Sequence, residues 1–190
     1  MAKRYFTSDL HFSSMVMVEK KLRPFKTIDK MNEVLIKNIN ARCNEDDILI
    51  HVGDLAQYGN DRTFGGVKIK PKEYINKIRP MVVNIEGNHD PNNRVKSVCT
   101  SMRTTMGKFK SVSIGHFPST DPLAKGSFKP GDVHIHGHVH SGPIFTIDKE
   151  NQVLNVNVCC DLWKFRPISE DDLVIKIDQF MRSKLKNKFV

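Results

Sequence analysis

Five times along this chain a strand-like run ends in an aspartate, an asparagine or a histidine. Asp9-Leu10-His11 follows residues 3–8, Gly53-Asp54 follows 47–52, and Gly87-Asn88-His89-Asp90 follows 81–85. Gly115-His116 follows 109–114, and Gly137-His138-Val139-His140 follows 133–136. In four of the five a glycine stands directly before the polar group, where it can turn the chain. Any one of these is an ordinary polar turn. Five in 190 residues constrain the chain to an α/β fold that gathers its strand ends, because open sheets build their sites at the carboxyl ends of strands. The gathered donors are nitrogens and oxygens without a thiolate, which suits manganese, with iron and zinc as the alternatives, and not a cysteine-bound structural zinc.

The remaining elements fit between these ends. Residues 28–43 place Ile28, Met31, Leu35 and Ile39 on one helical face. Pro71 opens a short helix over 72–78. Residues 144–148 and 153–158 read as strands around a turn at 149–151. Ser169-Glu170-Asp171-Asp172 reads as a helix start with a capping hydroxyl and early acids, although 173–175 also has the character of a strand. Residues 60–67, with Gly65 and Gly66, form a loop that is a candidate substrate rim, and 91–108 has no clear pattern. His134, His136, His138 and His140 alternate, but Gly137 breaks the run, so His134 and His136 read as strand residues that support the site. His51 reads as a hydrogen-bonded core histidine, and Trp163 and Phe165 as core or lid packing.

Composition narrows the class. The length suits one domain spanning 1–190, and 39% hydrophobic with 27% charged residues describes a globular chain. No apolar run approaches the length of a membrane span, and Met1-Ala2-Lys3-Arg4 leads into a strand without a signal-peptide core, so the expectation is a cytoplasmic protein. Cys43, Cys99, Cys159 and Cys160 show no Cys-x-x-Cys spacing and read as four reduced thiols. The net charge of +9 favours anionic partners, phosphate esters or nucleic acid. Part of that charge, Arg182, Lys184, Lys186 and Lys188, also fits a solvated helix end opposing the macrodipole's negative pole.

In their order and residue types the five motifs resemble the calcineurin-like metallophosphoesterase superfamily. Arg23-Pro24-Phe25, Met31-Asn32-Glu33 and Asp161-Leu162-Trp163-Lys164-Phe165-Arg166-Pro167 further resemble its small single-domain branch from bacteria and bacteriophages. The resemblance implies a four-layer α/β/β/α sandwich of two mixed sheets flanked by helices. It implies two divalent metal ions, one held by Asp9, His11 and His140 and the other by Asn88, His116 and His138, with Asp54 bridging both. It also implies hydrolysis of phosphomonoesters or phosphodiesters by metal-activated hydroxide, with His89 as general acid and Asp90 orienting it. The arginine that follows the second motif in the protein phosphatase branch is absent from Gly53-Asp54-Leu55-Ala56-Gln57-Tyr58-Gly59, which removes support for protein phosphatase activity. Arg23 is either a substitute phosphate clamp or a salt bridge within a loop. The substrate implied is a small phosphoester or a nucleotide. A nuclease acting on DNA or RNA is the alternative suggested by the charge, and a non-catalytic scaffold is a more distant one.

Overall fold

In the computed structural model, residues 2–58 and 69–186 are described. The candidate substrate rim at 60–67 lies outside them. The first half of the chain builds a sheet from β1 (Arg4–Thr7), β2 (Ile48–Val52) and β3 (Met81–Ile85). These three run parallel in the order β3-β2-β1, and β9 (Ile168–Ser169) closes the edge antiparallel to β1. The second half builds a five-stranded sheet from β4 (Ser101–Met106), β5 (Phe109–Gly115), β6 (Val133–His136), β7 (Phe145–Asp148) and β8 (Val153–Asn157). Its order is β4-β5-β6-β8-β7, with β5, β6 and β8 parallel and the two outer strands antiparallel. The expected α/β class, two mixed sheets flanked by helices, is the fold observed.

Strand alternation explains how the layers stack. On the first sheet Tyr5 and Leu49 face one hydrophobic core, while Phe6, Ile50 and Val52 face another. The first core lies under α2 (Ile28–Arg42), whose residues Met31, Leu35 and Ile39 recur every fourth position and are fully buried. Each such side chain contributes about 1.5–3 kcal/mol relative to exposure. Thr27 begins the helix by accepting a hydrogen bond from the Lys30 N–H at 3.2 Å. The second core lies between the sheets, where Val112, Ile114, Val133, Ile135 and Val156 oppose Phe6, Ile50 and Val52. The helix α4 (Glu170–Lys186) adds Leu173 and Ile177 to it. The outer face of the second sheet is polar and lies against the segment after β5. There Ser119 bonds Asn155 and Asp148, and His134 donates to the Phe117 carbonyl.

Several elements differ from the sequence reading. Residues 173–175 are helix, since Ser169 Oγ accepts the Asp172 N–H at 3.2 Å and starts α4. β4 falls in the stretch without a clear pattern, because only Met106 of its six residues is fully buried, as befits an edge strand. The two residues of β9 are too few to carry a period, and α1 (Met15–Glu19) and α3 (Pro71–Ile75) are short helices of five residues each. The four cysteines are free thiols. No helix among the described residues is long and apolar enough to cross a membrane.

Candidate metal centre

The parallel strands β1, β2 and β3 bring Asp9, Asp54 and Asn88 to adjacent loops at one end of the first sheet. β5 and β6 deliver His116, His138 and His140 from the second sheet. Asp54 stands where the two sets meet: its Oδ2 lies 3.7 Å from His11 Nε2 and 3.4 Å from His116 Nε2. On one side, Asp9 Oδ1 is 4.0 Å from His11 Nε2 and 3.5 Å from His140 Nε2. On the other, the Asn88 amide oxygen is 3.0 Å from His116 Nε2 and 3.1 Å from His138 Nδ1. All seven expected ligand positions thus come together in two groups that share Asp54. The first group draws on both Asp9 and His140 and the second on both Asp54 and His138, so only the paired sheets bring such distant segments together.

The backbone is bent to make this possible. Asp9, His11, Asp54 and His138 all adopt left-handed conformations, with φ of 56°, 47°, 61° and 66°. Such angles are costly for residues with a Cβ and persist where surrounding structure imposes them. Two of the glycines before the ligands do something other than turn the chain. A Cβ at Gly87 would overlap the Asp54 amide and carboxylate, and one at Gly137 would overlap Ser8 Oγ and Asp9 Oδ2. These positions are glycine so that ligand loops from neighbouring strands can close on each other.

Supporting hydrogen bonds fix which nitrogen of each ring faces the centre. His116 Nδ1 donates to the Val52 carbonyl at 2.8 Å, and His140 Nδ1 donates to Asp161 Oδ2 at 2.8 Å. Each leaves Nε2 turned toward a carboxylate of the centre, the arrangement by which histidine ligands are oriented. Asp9 is held by Ser8 Oγ at 2.5 Å and by the His138 N–H at 3.0 Å. The buried Asn32 carboxamide of α2 accepts the Ser13 N–H at 3.1 Å and anchors the loop beyond His11.

The electrostatics suit a cation. Burial drives the His11 imidazole well below its usual pKa, more than the Asp54 charge restores, so the ring is neutral. Its buried Nε2 has no hydrogen-bond partner among the described residues. A buried, unpartnered nitrogen of a neutral ring, facing two carboxylates, fits a metal ion. Burial works against the charge on Asp54, but the His116 and His11 imidazoles outweigh it and hold the carboxylate well below its usual range. Burial likewise opposes protonation of His116, yet the Asp54 hydrogen bond and the Asp9 charge raise its pKa to about 9.

The geometry gives Asp90 a role other than the expected one and decides between the two readings of Arg23. Asp90 makes no hydrogen bond to the His89 ring. It is fully buried, and its oxygens accept the N–H groups of Asp54, Leu55 and Gly87 at 3.1, 2.9 and 2.8 Å, together with the Asn84 amide. It therefore ties the second-motif loop to the third. Arg23 follows the salt-bridge alternative. Its buried guanidinium bonds Asp161 Oδ1 and Oδ2 at 2.8 and 2.7 Å, the Asp9 carbonyl at 2.6 Å and the Leu10 carbonyl at 2.9 Å, leaving it committed inside the protein. His89 itself is half exposed, with Nε2 3.9 Å from Asp54 Oδ2 and its N–H on Asp54 Oδ1 at 2.9 Å.

The sequence reading also missed two groups. Asp161 braces both Arg23 and His140, a pairing across 138 and 21 residues; only its place in the Asp161-Leu162-Trp163 likeness hinted at a role. Cys159 lies in a group with Asp9 and His140 whose donor atoms are all within 4.8 Å of one another, so a soft donor borders the first half-site. His134 and His136 sit in β6 as supporting residues, with His136 Nδ1 on the Gly137 carbonyl at 2.8 Å. His51 is hydrogen-bonded to Asn84 at 2.6 Å.

The sequence matches the calcineurin-like phosphoesterase family over residues 2–177, and the chain belongs to that family. It is 26% identical over 183 residues to an uncharacterized protein of Methanocaldococcus jannaschii, covering 93% of this chain and 92% of the relative. The fold resembles the crystal structure of a protein of unknown function from Aquifex aeolicus, with a TM-score of 0.66 and 22% identity over 95% of this chain and all of the other. A looser likeness, with a TM-score of 0.44 and 16% identity over 82% of this chain and 78% of the other, is to Yfce, a phosphoesterase from E. coli.

Proposed function

We propose that this chain is a binuclear metal-dependent phosphoesterase that hydrolyses phosphomonoester or phosphodiester bonds of a small or nucleotide-like substrate. The observation that carries the reading is the position of Asp54, one carboxylate facing imidazoles of both half-sites with His89 beside it. Asp9, His11 and His140 would hold one ion, Asn88, His116 and His138 the other, and Asp54 both. The donor set favours manganese, with iron or zinc as alternatives, and Cys159 beside Asp9 gives the first half-site a softer border. When bound, such ions bind phosphoryl oxygens, lower the pKa of a water nucleophile and stabilise developing charge.

The protein's own residues supply the rest. His89 reaches over Asp54 from a loop fixed at its backbone, so its ring is free to face the substrate and protonate the leaving oxygen. Asp90 positions that loop through backbone N–H groups. Arg23 positions Asp9 through its carbonyl and His140 through Asp161, and does not touch the substrate. Beside His89 and His11 lies a cavity of about 140 Å³ bordered by Met17, Gln57 and Asn93, and a larger, partly apolar one of about 730 Å³ opens at His140 and Phe165.

The test is turnover of p-nitrophenyl phosphate and bis-p-nitrophenyl phosphate by the manganese-loaded protein, compared with His89→Ala. Loss of the acid should slow the reaction roughly 10²–10⁴-fold. A wild type no faster than the variant, on these esters and on a panel of nucleotides, contradicts the reading.

A further inference from the structure

The net charge of +9 is unevenly used. Some of the cations are paired: Arg42 with Asp172, and both Lys108 and Arg182 with Asp178. Around a cavity of about 430 Å³ next to the metal centre they are not. Lys70, Lys72, Arg94 and Lys96 line it together with Tyr58, Pro71 and Ile75. Among the described residues no carboxylate lines it, and none of the four cations forms an ion pair.

This pocket is tied to the catalytic loop. The buried Asn93 carboxamide donates to the His89 carbonyl at 2.8 Å and accepts the Tyr58 N–H at 2.7 Å. Asn93 also borders the small cavity beside His89 and His11. The next residue, Arg94, is left-handed with φ 56°, and its guanidinium lies over the Tyr58 ring, 5.2 Å from the centroid. An aromatic face holds the cation in place without neutralising it. The apolar floor from Pro71 and Ile75 keeps the cations poorly screened on one side.

We infer that this pocket is an anion subsite that takes a phosphate of the nucleotide neighbouring the scissile one, so that the site acts on single-stranded oligonucleotides. The inference rests on the phosphoesterase reading and names its substrate class. A planar guanidinium over a tyrosine, with three lysines around it, recognises a backbone phosphate and offers the adjoining base a ring to stack on. A small monoester would leave the pocket empty.

The experiment compares a short single-stranded DNA with bis-p-nitrophenyl phosphate as substrates of the manganese-loaded enzyme. Arg94→Ala combined with Lys96→Ala should raise KM for the oligonucleotide roughly tenfold more than KM for the small diester. The slope of log KM against log salt should fall by about 0.7 for each backbone phosphate that the variant no longer neutralises. The Lys72→Glu variant, at an exposed position on the same pocket, checks the result with a different side chain. The two KM values moving together, or an unchanged salt slope, overturns the subsite. Turnover of the diester with none of the oligonucleotide also overturns it while leaving the phosphoesterase reading intact. Should neither ester turn over, fluorescence anisotropy of the labelled oligonucleotide decides: binding weakened at least tenfold by the double variant supports the subsite, and equal binding refutes it.

Discussion

The two half-sites that meet at Asp54 are built differently. Asp9 and His11 are buried and their neighbour His140 is tied through Asp161 to the buried Arg23, so the first half carries two carboxylates on a braced frame. The second half shares Asp54 and offers one amide and two imidazoles, with His116 buried, His138 half-buried and Asn88 exposed. Besides Asp54 it contains no charged donor. An ion in the first half would replace lost hydration with two anionic oxygens held in place, whereas an ion in the second would meet Asp54 as its one carboxylate, with the exposed Asn88 amide and two imidazoles completing the set. The difference implies a tight first site and a weaker, exchangeable second one, with Asp54 making the two dependent on each other.

Losing that shared carboxylate should have the largest effect. Asp54→Asn should reduce bis-p-nitrophenyl phosphate hydrolysis to background and leave neither ion bound at stoichiometry. A variant that still retained two ions would show that Asp54 does not bridge them. Next in size is the brace on the first half. Asp161→Asn should weaken the tight ion roughly 10–100-fold, as measured by competition with a chelator, with little change in the weak one. Equal weakening of both ions would dissolve the distinction between the halves.

Proton linkage sharpens the same contrast. His11 is neutral at pH 7, but His116 has a pKa raised to about 9, so it must shed a proton to become a ligand. Affinity of the second ion should therefore rise between pH 7 and 9, with proton release visible by calorimetry in buffers of different ionisation enthalpy. Affinity independent of pH over that range would place His116 outside the second half-site.

The smallest expected effect is on acid stability. Burial lowers the pKa of His136 to about 3, against about 6.5 in the unfolded chain. A depressed pKa means that this contribution is complete above pH 6.5 and is lost as pH falls toward 3. Thermal unfolding of the metal-free protein should show Tm falling over that window, and His136→Gln should flatten the fall. An equal slope in the variant would assign the acid sensitivity elsewhere.

Much of this site was legible because it is written at strand ends. A short apolar run followed by Asp, Asn or His marks both a β-strand and the polar group it presents, so the gathering of Asp9, Asp54, Asn88, His116 and the His138-x-His140 pair could be expected from the sequence. What could not be read depends on contacts between distant segments. Asp90 reads as a partner for the adjacent His89, but its oxygens are taken by N–H groups of the second-motif loop and by Gly87. Arg23 reads equally as a phosphate clamp or a loop salt bridge, and only its contact with Asp161, 138 residues on, decides for the second. Gly87 and Gly137 read as turns, although their function is to admit a carboxylate from a neighbouring strand. β4 carries no signal because an edge strand with a wet face needs no strict alternation.

The most direct measurement is a count of bound ions by calorimetric titration of the metal-free protein with manganese, in the wild type and in Asn88→Ala. Two ions of unequal affinity in the wild type, and only the tighter one in the variant, are the expected result. A single ion in both proteins, with phosphoesterase activity equal in the two, would contradict a binuclear centre built on a shared Asp54.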